Sequence, residues 1–138
     1  NRYNFTQDFQ SSSSATVKTD GKQLPDAPKY MAKAALSYNL GDWTLTPSVR
    51  YTSSRWGDVA NTQKIDGFTI IDFDVAYDMG KFLGSKNTML NLTITNLTDE
   101  EYIATINAAD NFLAASGTAS TYQTGAPLGV YCGINMKF

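Results

Sequence analysis

Apolar residues recur at every second position along most of this chain. The cleanest case is Leu128 to Phe138, LGVYCGINMKF, where Leu128, Val130, Cys132, Ile134, Met136 and Phe138 alternate with Gly129, Tyr131, Gly133, Asn135 and Lys137. A period of two sends alternate side chains to opposite faces of a β-strand. The same rhythm predicts five earlier strands. In Asn1 to Gln10, Tyr3, Phe5 and Phe9 face away from Arg2, Asn4, Thr6, Asp8 and Gln10, with Gln7 interrupting the row. Tyr30 to Leu40 sets Tyr30, Ala32, Ala34, Leu36, Tyr38 and Leu40 against Met31, Lys33, Ala35, Ser37 and Asn39. Trp43 to Ser53 carries Trp43, Leu45, Pro47, Val49 and Tyr51 on one face. Phe68 to Asp78 carries Ile71, Phe73, Val75 and Tyr77, and Thr88 to Asn96 carries Leu90, Leu92 and Ile94.

The connections are of two kinds. Gly41-Asp42 is a two-residue hairpin signal. A turn there pairs Leu40 with Trp43, Tyr38 with Leu45, Ala34 with Val49 and Ala32 with Tyr51, so register and apolar face agree. Pro47 is the weak point, because it removes one ladder donor. Met79 to Asn87 is a second short connection. Ser11 to Lys29, Ser54 to Gly67 and Leu97 to Pro127 are longer, polar and placed at the other end of the strands. Within the last of these, Ile103 to Ala115 is expected to form a short helix.

No Asp, Glu, Lys or Arg falls on any apolar face; Lys33, Arg50, Asp72, Asp74, Asp78 and Lys137 all fall opposite, among Thr, Ser, Asn and Gly. That division suits a membrane barrel with lipid on one side and a wet lumen on the other. Aromatics gather near strand ends: Tyr30 and Tyr51 at one level, Tyr38, Trp43, Tyr77 and Phe138 near the other. Eleven residues at roughly 3.3 Å each, tilted by about 40°, span on the order of 28 Å, close to an apolar band of about 25 Å. A soluble β-sandwich gives equally clean faces, but explains the asymmetry of short turns and long loops less well. The fold class expected is therefore all-β, an antiparallel transmembrane β-barrel segment of about six strands.

Composition adds exclusions. The chain has 138 residues, 42% hydrophobic and 17% charged, with a net charge of −2. Disorder and nucleic-acid binding are disfavoured. The single cysteine, Cys132, has no disulfide partner in the chain. With no histidine, neither a Ser-His-Asp nor a Cys-His pair can be assembled. No catalytic residue, metal site or cofactor is expected, and no enzyme. Asp72 and Asp74 share a strand face as a carboxylate pair does, but read more simply as lumen wall. Asp99-Glu100-Glu101 is a weak calcium candidate and, more simply, a charged loop turn. The N-x-T triplets at Asn4, Asn91 and Asn96 read as polar strand residues. The first residue is Asn1 rather than Met, so a processed product or a fragment of something longer is expected.

Four stretches carry a family resemblance. LPDAPKYMAKAALSYNL, from Leu24 on, resembles a proline-led strand start; IDGFTIIDFDVAYDM resembles a "G-aromatic-T, then D, then Y" strand. LNLTITNLTDEEYI resembles an "apolar strand, then Asn-Leu, Asp and Tyr" stretch, and GAPLGVYCGINMKF a "G-x-P-x, then strand, then terminal Phe". In this order they resemble the C-terminal region of TonB-dependent outer-membrane receptors. Leu128 stands where that family often has Arg. The resemblance covers most of the chain and is not established over the first two dozen residues.

The resemblance implies the last six strands of a barrel of about 22, with a plug domain and earlier strands lying outside this chain. It implies energy-coupled uptake of a scarce nutrient, commonly a ferric siderophore, otherwise a cobalamin or a carbohydrate. Implied partners are the rest of the barrel and its plug, a TonB-type energy-coupling protein, the barrel-assembly machinery, and outer-membrane lipid and lipopolysaccharide. The implied location is the Gram-negative outer membrane, with the C-terminus periplasmic. Residues able to touch ligand are Trp56, Tyr102, Phe112 and Tyr122 in loops and Arg50 in the wall, although loop aromatics also pack on one another and Arg50 can pair with Asp72 or Asp74. The closing row Val130, Ile134, Met136 and Phe138 resembles the assembly signal of outer-membrane barrels. The competing classes are the tail of a passive porin, adhesin or autotransporter barrel, and a soluble β-sandwich binding module.

Overall fold

Residues that alternate in polarity form strands here, and the chain pairs them into sheets. A computed structural model of the protein describes residues 4–10, 16–107 and 120–138. The strands are β1 (Phe9–Gln10), β2 (Thr16–Val17), β3 (Met31–Ala35), β4 (Tyr38–Leu40), β5 (Trp43–Thr52) and β6 (Arg55–Trp56). They continue with β7 (Lys64–Ile65), β8 (Phe68–Gly80), β9 (Asn87–Thr95), β10 (Ile103–Asn107), β11 (Thr121–Thr124) and β12 (Gly129–Lys137). No helix occurs among the described residues. Two compact units result. One comprises Asn1–Met31, Thr52–Phe68 and Glu101–Gly125; the other Ala32–Tyr51, Thr69–Glu100 and Ala126–Phe138.

The second unit contains most of the main sheet, six strands in the order β12-β9-β8-β5-β3 with β4 also on β5. Gly41 takes the left-handed conformation (φ 59°) that a two-residue turn requires of its first central residue. The turn sets Leu40 opposite Trp43 and Tyr38 opposite Leu45, the pairing the sequence predicts. Pro47 has the consequence expected of it. Leu36 N–H donates to Pro47 O at 3.1 Å, but Pro47 has no N–H to return the bond. The predicted Tyr30 to Leu40 strand accordingly breaks into β3 and β4 at that point.

Apolar positions line up across the sheet. Phe73, Ile94 and Val130 form one row, Val75, Leu92 and Cys132 the next, and Tyr77, Leu90 and Ile134 the third. Among the described residues this face is open: Leu36, Val130 and Ile134 are 68%, 60% and 63% exposed. A soluble sandwich buries such a face against a facing sheet. The neighbour it lacks here is what lipid supplies to a membrane strand.

Two predicted elements differ. Residues 103–107 are strand rather than helix, with β10 paired to β11; the rest of the predicted helix lies outside the described residues. Of the predicted strand Asn1 to Gln10, the described residues 4–10 do not join the main sheet. Among those residues Phe9–Gln10 is strand, paired with β2, and Asn4 makes an isolated bridge to Gln23. Short polar segments find local partners there because their side chains also bond the backbone. Thr19 Oγ1, for example, donates to Gln7 O at 2.8 Å, while its N–H donates to Asp8 Oδ1 at 2.9 Å. The count of about six strands therefore holds for a different reason: the first predicted strand is lost from the sheet and the second is split in two.

Candidate functional site

The polar face of the main sheet is a wall of hydroxyls, amides and carboxylates. Asp74 accepts a hydrogen bond from Thr93 Oγ1 at 2.6 Å, directly across the β8–β9 ladder. Asp72 Oδ1 accepts from the backbone N–H of Asn96 at 2.9 Å. Arg50 is exposed, and the ion pair expected between it and Asp72 or Asp74 does not form. Both carboxylates already have donors, Thr93 on β9 and Asn96 just beyond it, and among the described residues the only ion pair is Arg55 with Asp26.

Asn96 organises the end of β9. It is 2% exposed and held at φ 51°, a left-handed conformation that Asn tolerates better than most residues. Its Nδ2 donates to Glu100 O and Ala126 O, each at 3.0 Å, and its Oδ1 accepts from Glu100 N–H at 2.9 Å. Asp99, also left-handed at φ 51°, accepts from Leu128 N–H at 2.9 Å. The Asn-Leu-Thr-Asp corner thus fastens the segment leading into β12. The Asp99 carboxylate, weighed above as a cation ligand, caps a strand instead. Among the described residues no three acidic, Cys or His side chains gather as a metal site.

The other unit is drawn together by polar bonds between its segments. Arg55 is 3% exposed; its Nη2 donates to Ile103 O at 2.6 Å and to Ala104 O at 3.2 Å. Its Nε lies 2.7 Å from Asp26 Oδ1 but is not aligned for a hydrogen bond, so this contact is Coulombic. The guanidinium lies 5.8 Å from the Phe68 ring centroid, at the outer range of a cation–π contact. Phe68 in turn meets Tyr102, ring centroids 4.3 Å apart. Gln23 and Asn61 exchange two bonds of 2.8 Å. Asp58 closes the turn after β6, accepting from the N–H groups of Thr62 and Gln63 at 2.8 Å each.

The candidate ligand residues are therefore divided. Trp56 is half-buried on β6 and its carbonyl accepts from Asp26 N–H at 2.9 Å. Tyr102 is half-buried against Phe68, with Gly125 packed onto its ring. Tyr122 bonds through its hydroxyl to Gln63 and remains 38% exposed. Phe112 lies outside the described residues. Val130, Ile134, Met136 and Phe138 are exposed along one face of the closing segment, Phe138 just beyond β12. Arg55, Asp26 and Asn96 were not singled out in the sequence as organising residues. Arg55 and Asp26 pair over a long stretch of chain without any local pattern. Asn96 and Asp99 did carry a signal, two residues that favour left-handed turns directly after a strand.

Comparison with known proteins gives this architecture its relatives. The chain is 32% identical over 99 residues to the ferrioxamine B receptor of Salmonella typhimurium LT2, covering 68% of this chain and 14% of that protein. It is 35% identical over 89 residues to the ferrichrome outer membrane transporter/phage receptor of Escherichia coli K12, covering 61% of this chain and 12% of that one. The chain thus spans about one-seventh of the first relative's length and less of the second's. Among solved structures, the ferric citrate transporter FecA in its unliganded form superposes with a TM-score of 0.66 at 25% identity, over 82% of this chain and 17% of that one. The family model described as TonB dependent receptor-like, beta-barrel, matches residues 1–97 and so includes the first two dozen residues, over which the motifs alone did not establish the resemblance. With that match and an all-β antiparallel fold shared with a known receptor, the chain belongs to the TonB-dependent receptor β-barrel family.

Proposed function

We propose that this chain is the C-terminal part of the barrel wall of an outer-membrane receptor that imports a ferric siderophore with energy supplied from the inner membrane. The observation that carries this reading is the match to receptors for ferrioxamine B and ferrichrome, both iron-chelate ligands by name. The two-faced sheet supports it: an uncovered apolar face for lipid and a polar face bearing Arg50, Asp72 and Asp74 for the lumen. The outer strands of the sheet, β12 and β3, are continued by further strands of the same barrel. In this reading a plug domain fills the lumen and engages the TonB-type protein. The barrel-assembly machinery inserts the chain by way of Val130, Ile134, Met136 and Phe138. The short turns and the C-terminus face the periplasm. Trp56, Tyr102 and Tyr122 are the candidate ligand contacts of the loops, and Arg50 meets ligand or plug in the lumen. No catalytic step belongs to this function.

The test is growth under iron limitation of a strain lacking the full-length gene, with ferrioxamine B, ferrichrome or ferric citrate as the only iron source. Loss of growth on one chelate, restored by the gene and dependent on the energy-coupling protein, is the expected result. Unimpaired growth on every chelate together with lost cobalamin-dependent growth would move the ligand to that class. No transport defect at all would favour a passive barrel.

A further inference from the structure

The short-turn end of the main sheet combines three features that wall-building alone does not use. First, the connection after β8 exposes an apolar tip. Leu83 is 79% exposed and Phe82 43% exposed, and Leu83 is held at φ 46°, which costs a branched side chain without burying it. Second, lysines flank this tip. Lys81 precedes it and Lys86 follows it, both exposed, and Lys86 N–H bonds Lys137 O at 2.6 Å, the Lys137 side chain belonging to the polar face. The acidic groups nearby are Asp42 and Asp78. Asp78 accepts from the Gly80 N–H at 2.8 Å, and its own N–H bonds Asp42 O. Third, a trough of about 640 Å³ opens on the apolar face in the half of the sheet nearest this end. Its lining includes the rows Tyr77, Leu90, Ile134 and Val75, Leu92, Cys132. Trp43 walls it and stacks on Tyr77, ring centroids 4.4 Å apart.

We propose that this end of the sheet is a binding site for an anionic phospholipid, its phosphate held between Lys81 and Lys86 and one acyl chain lying in the trough beneath Trp43 and Tyr77. The chemistry is complementary along its whole length. Lysines attract an anionic headgroup at the membrane surface. Phe82 and Leu83 enter the interfacial layer, where an exposed apolar tip is stabilised rather than penalised. The Trp43–Tyr77 pair sits at headgroup level, as interfacial aromatics do. From Val75 to the end of β8 at Gly80, just short of the tip, is five residues, roughly 16 Å of strand at about 3.3 Å each, within reach of one acyl chain. The inference rests on the apolar face being the membrane face, so the experiment reads that separately.

The full-length receptor is reconstituted into vesicles of equimolar phosphatidylcholine and phosphatidylglycerol, re-extracted gently, and its retained lipids counted by native mass spectrometry. Wild type retains phosphatidylglycerol preferentially. Each of Lys81→Gln and Lys86→Gln lowers the preference about five-fold at low salt, and Phe82→Ser lowers retention of both lipids. In parallel, brominated-chain lipids quench Trp43, read as the fluorescence difference between wild type and Trp43→Phe. Equal retention of the two lipids by wild type, or a preference unchanged in Lys81→Gln/Lys86→Gln, overturns the lipid site. Quenching at Trp43 then leaves the membrane-face reading standing. Absence of quenching overturns both.

Discussion

Replacing Asn96 tests whether one corner holds the segment that leads into β12. Asn96→Ala removes three side-chain hydrogen bonds, two of 3.0 Å to Glu100 O and Ala126 O and one of 2.9 Å from Glu100 N–H. At about 1 kcal/mol net each, that is about 3 kcal/mol. Alanine must also adopt φ 51°, which adds about 1 kcal/mol. The total of about 4 kcal/mol corresponds to nearly three decades in a local opening equilibrium. Asn96→Gly loses the same bonds but accepts the backbone angle, so it stops about 1 kcal/mol short, a factor of about five. The assay is hydrogen–deuterium exchange by mass spectrometry on the full-length protein in detergent micelles, following peptides that cover 126–137. Exchange there should be slowest in wild type, faster in Asn96→Gly and fastest in Asn96→Ala. If Asn96→Ala exchanges within about two-fold of wild type, or if glycine is worse than alanine, the corner does not hold β12 and the bond count has been misread.

Other perturbations probe the remaining joints. Asp26→Asn leaves the 3%-exposed Arg55 without its counter-charge; because Asp26 is 30% exposed, the expected cost is about 2 kcal/mol rather than the 3–5 of a fully buried pair. Limited proteolysis should then cut the segments around Arg55 and Ile103 first, and an unaltered digestion pattern would show that the carbonyl bonds suffice. Pro47→Val supplies the N–H that Leu36 O lacks, for a gain of about 1 kcal/mol; it should join β3 to β4 and slow exchange of the Leu36 amide about five-fold, and no slowing would place the cause of the break elsewhere. Gly125→Ala puts a Cβ 2.0 Å from Tyr102 Cζ, so the ring must leave Phe68 at about 1–3 kcal/mol. In a Tyr102→Ala background that cost should largely vanish, and a cost that persisted in the double variant's thermal midpoint would mean the backbone, not the ring, is the obstacle.

The wall of this protein is far more legible in its sequence than the connections. A period of two, checked against a two-residue turn, specifies register as well as strand: Tyr38 meets Leu45 and Leu40 meets Trp43 because Gly41 can take a left-handed angle. Pro47 announces its own defect. The loops lack such a code. Ile103 to Asn107 reads I-A-T-I-N, which fits neither period well, and its partner Thr121–Thr124 carries no aliphatic residue. What decides strand over helix there is pairing between distant segments, which no window of sequence contains. Arg50 fails for a related reason. Its sign and face were right, but Thr93 and Asn96 reach Asp74 and Asp72 from the adjacent strand, and a short local donor satisfies a carboxylate at less entropic cost than a long arginine. The candidate ligand aromatics were legible as aromatics but not in their packing: Tyr102 lies against Phe68 and Gly125.

Two deficits in the main sheet point to the same remedy. In water, its uncovered apolar face is the kind of patch that folded soluble domains hide. In lipid that face is satisfied, but the outer edges are not. β12 is nine residues long, and about half of its backbone groups point away from β9, on the order of four N–H and four C=O. At several kcal/mol for each unpaired group in hydrocarbon, the edge would cost tens of kcal/mol, more than the whole stability of an ordinary domain at about 5–15 kcal/mol. A membrane relieves the first deficit and only more strands relieve the second. The proposed barrel in the outer membrane supplies both, and in it a strand paired to the free edge of β12 matches its alternation, presenting apolar residues beside Val130, Ile134 and Met136 and polar ones beside Tyr131 and Asn135.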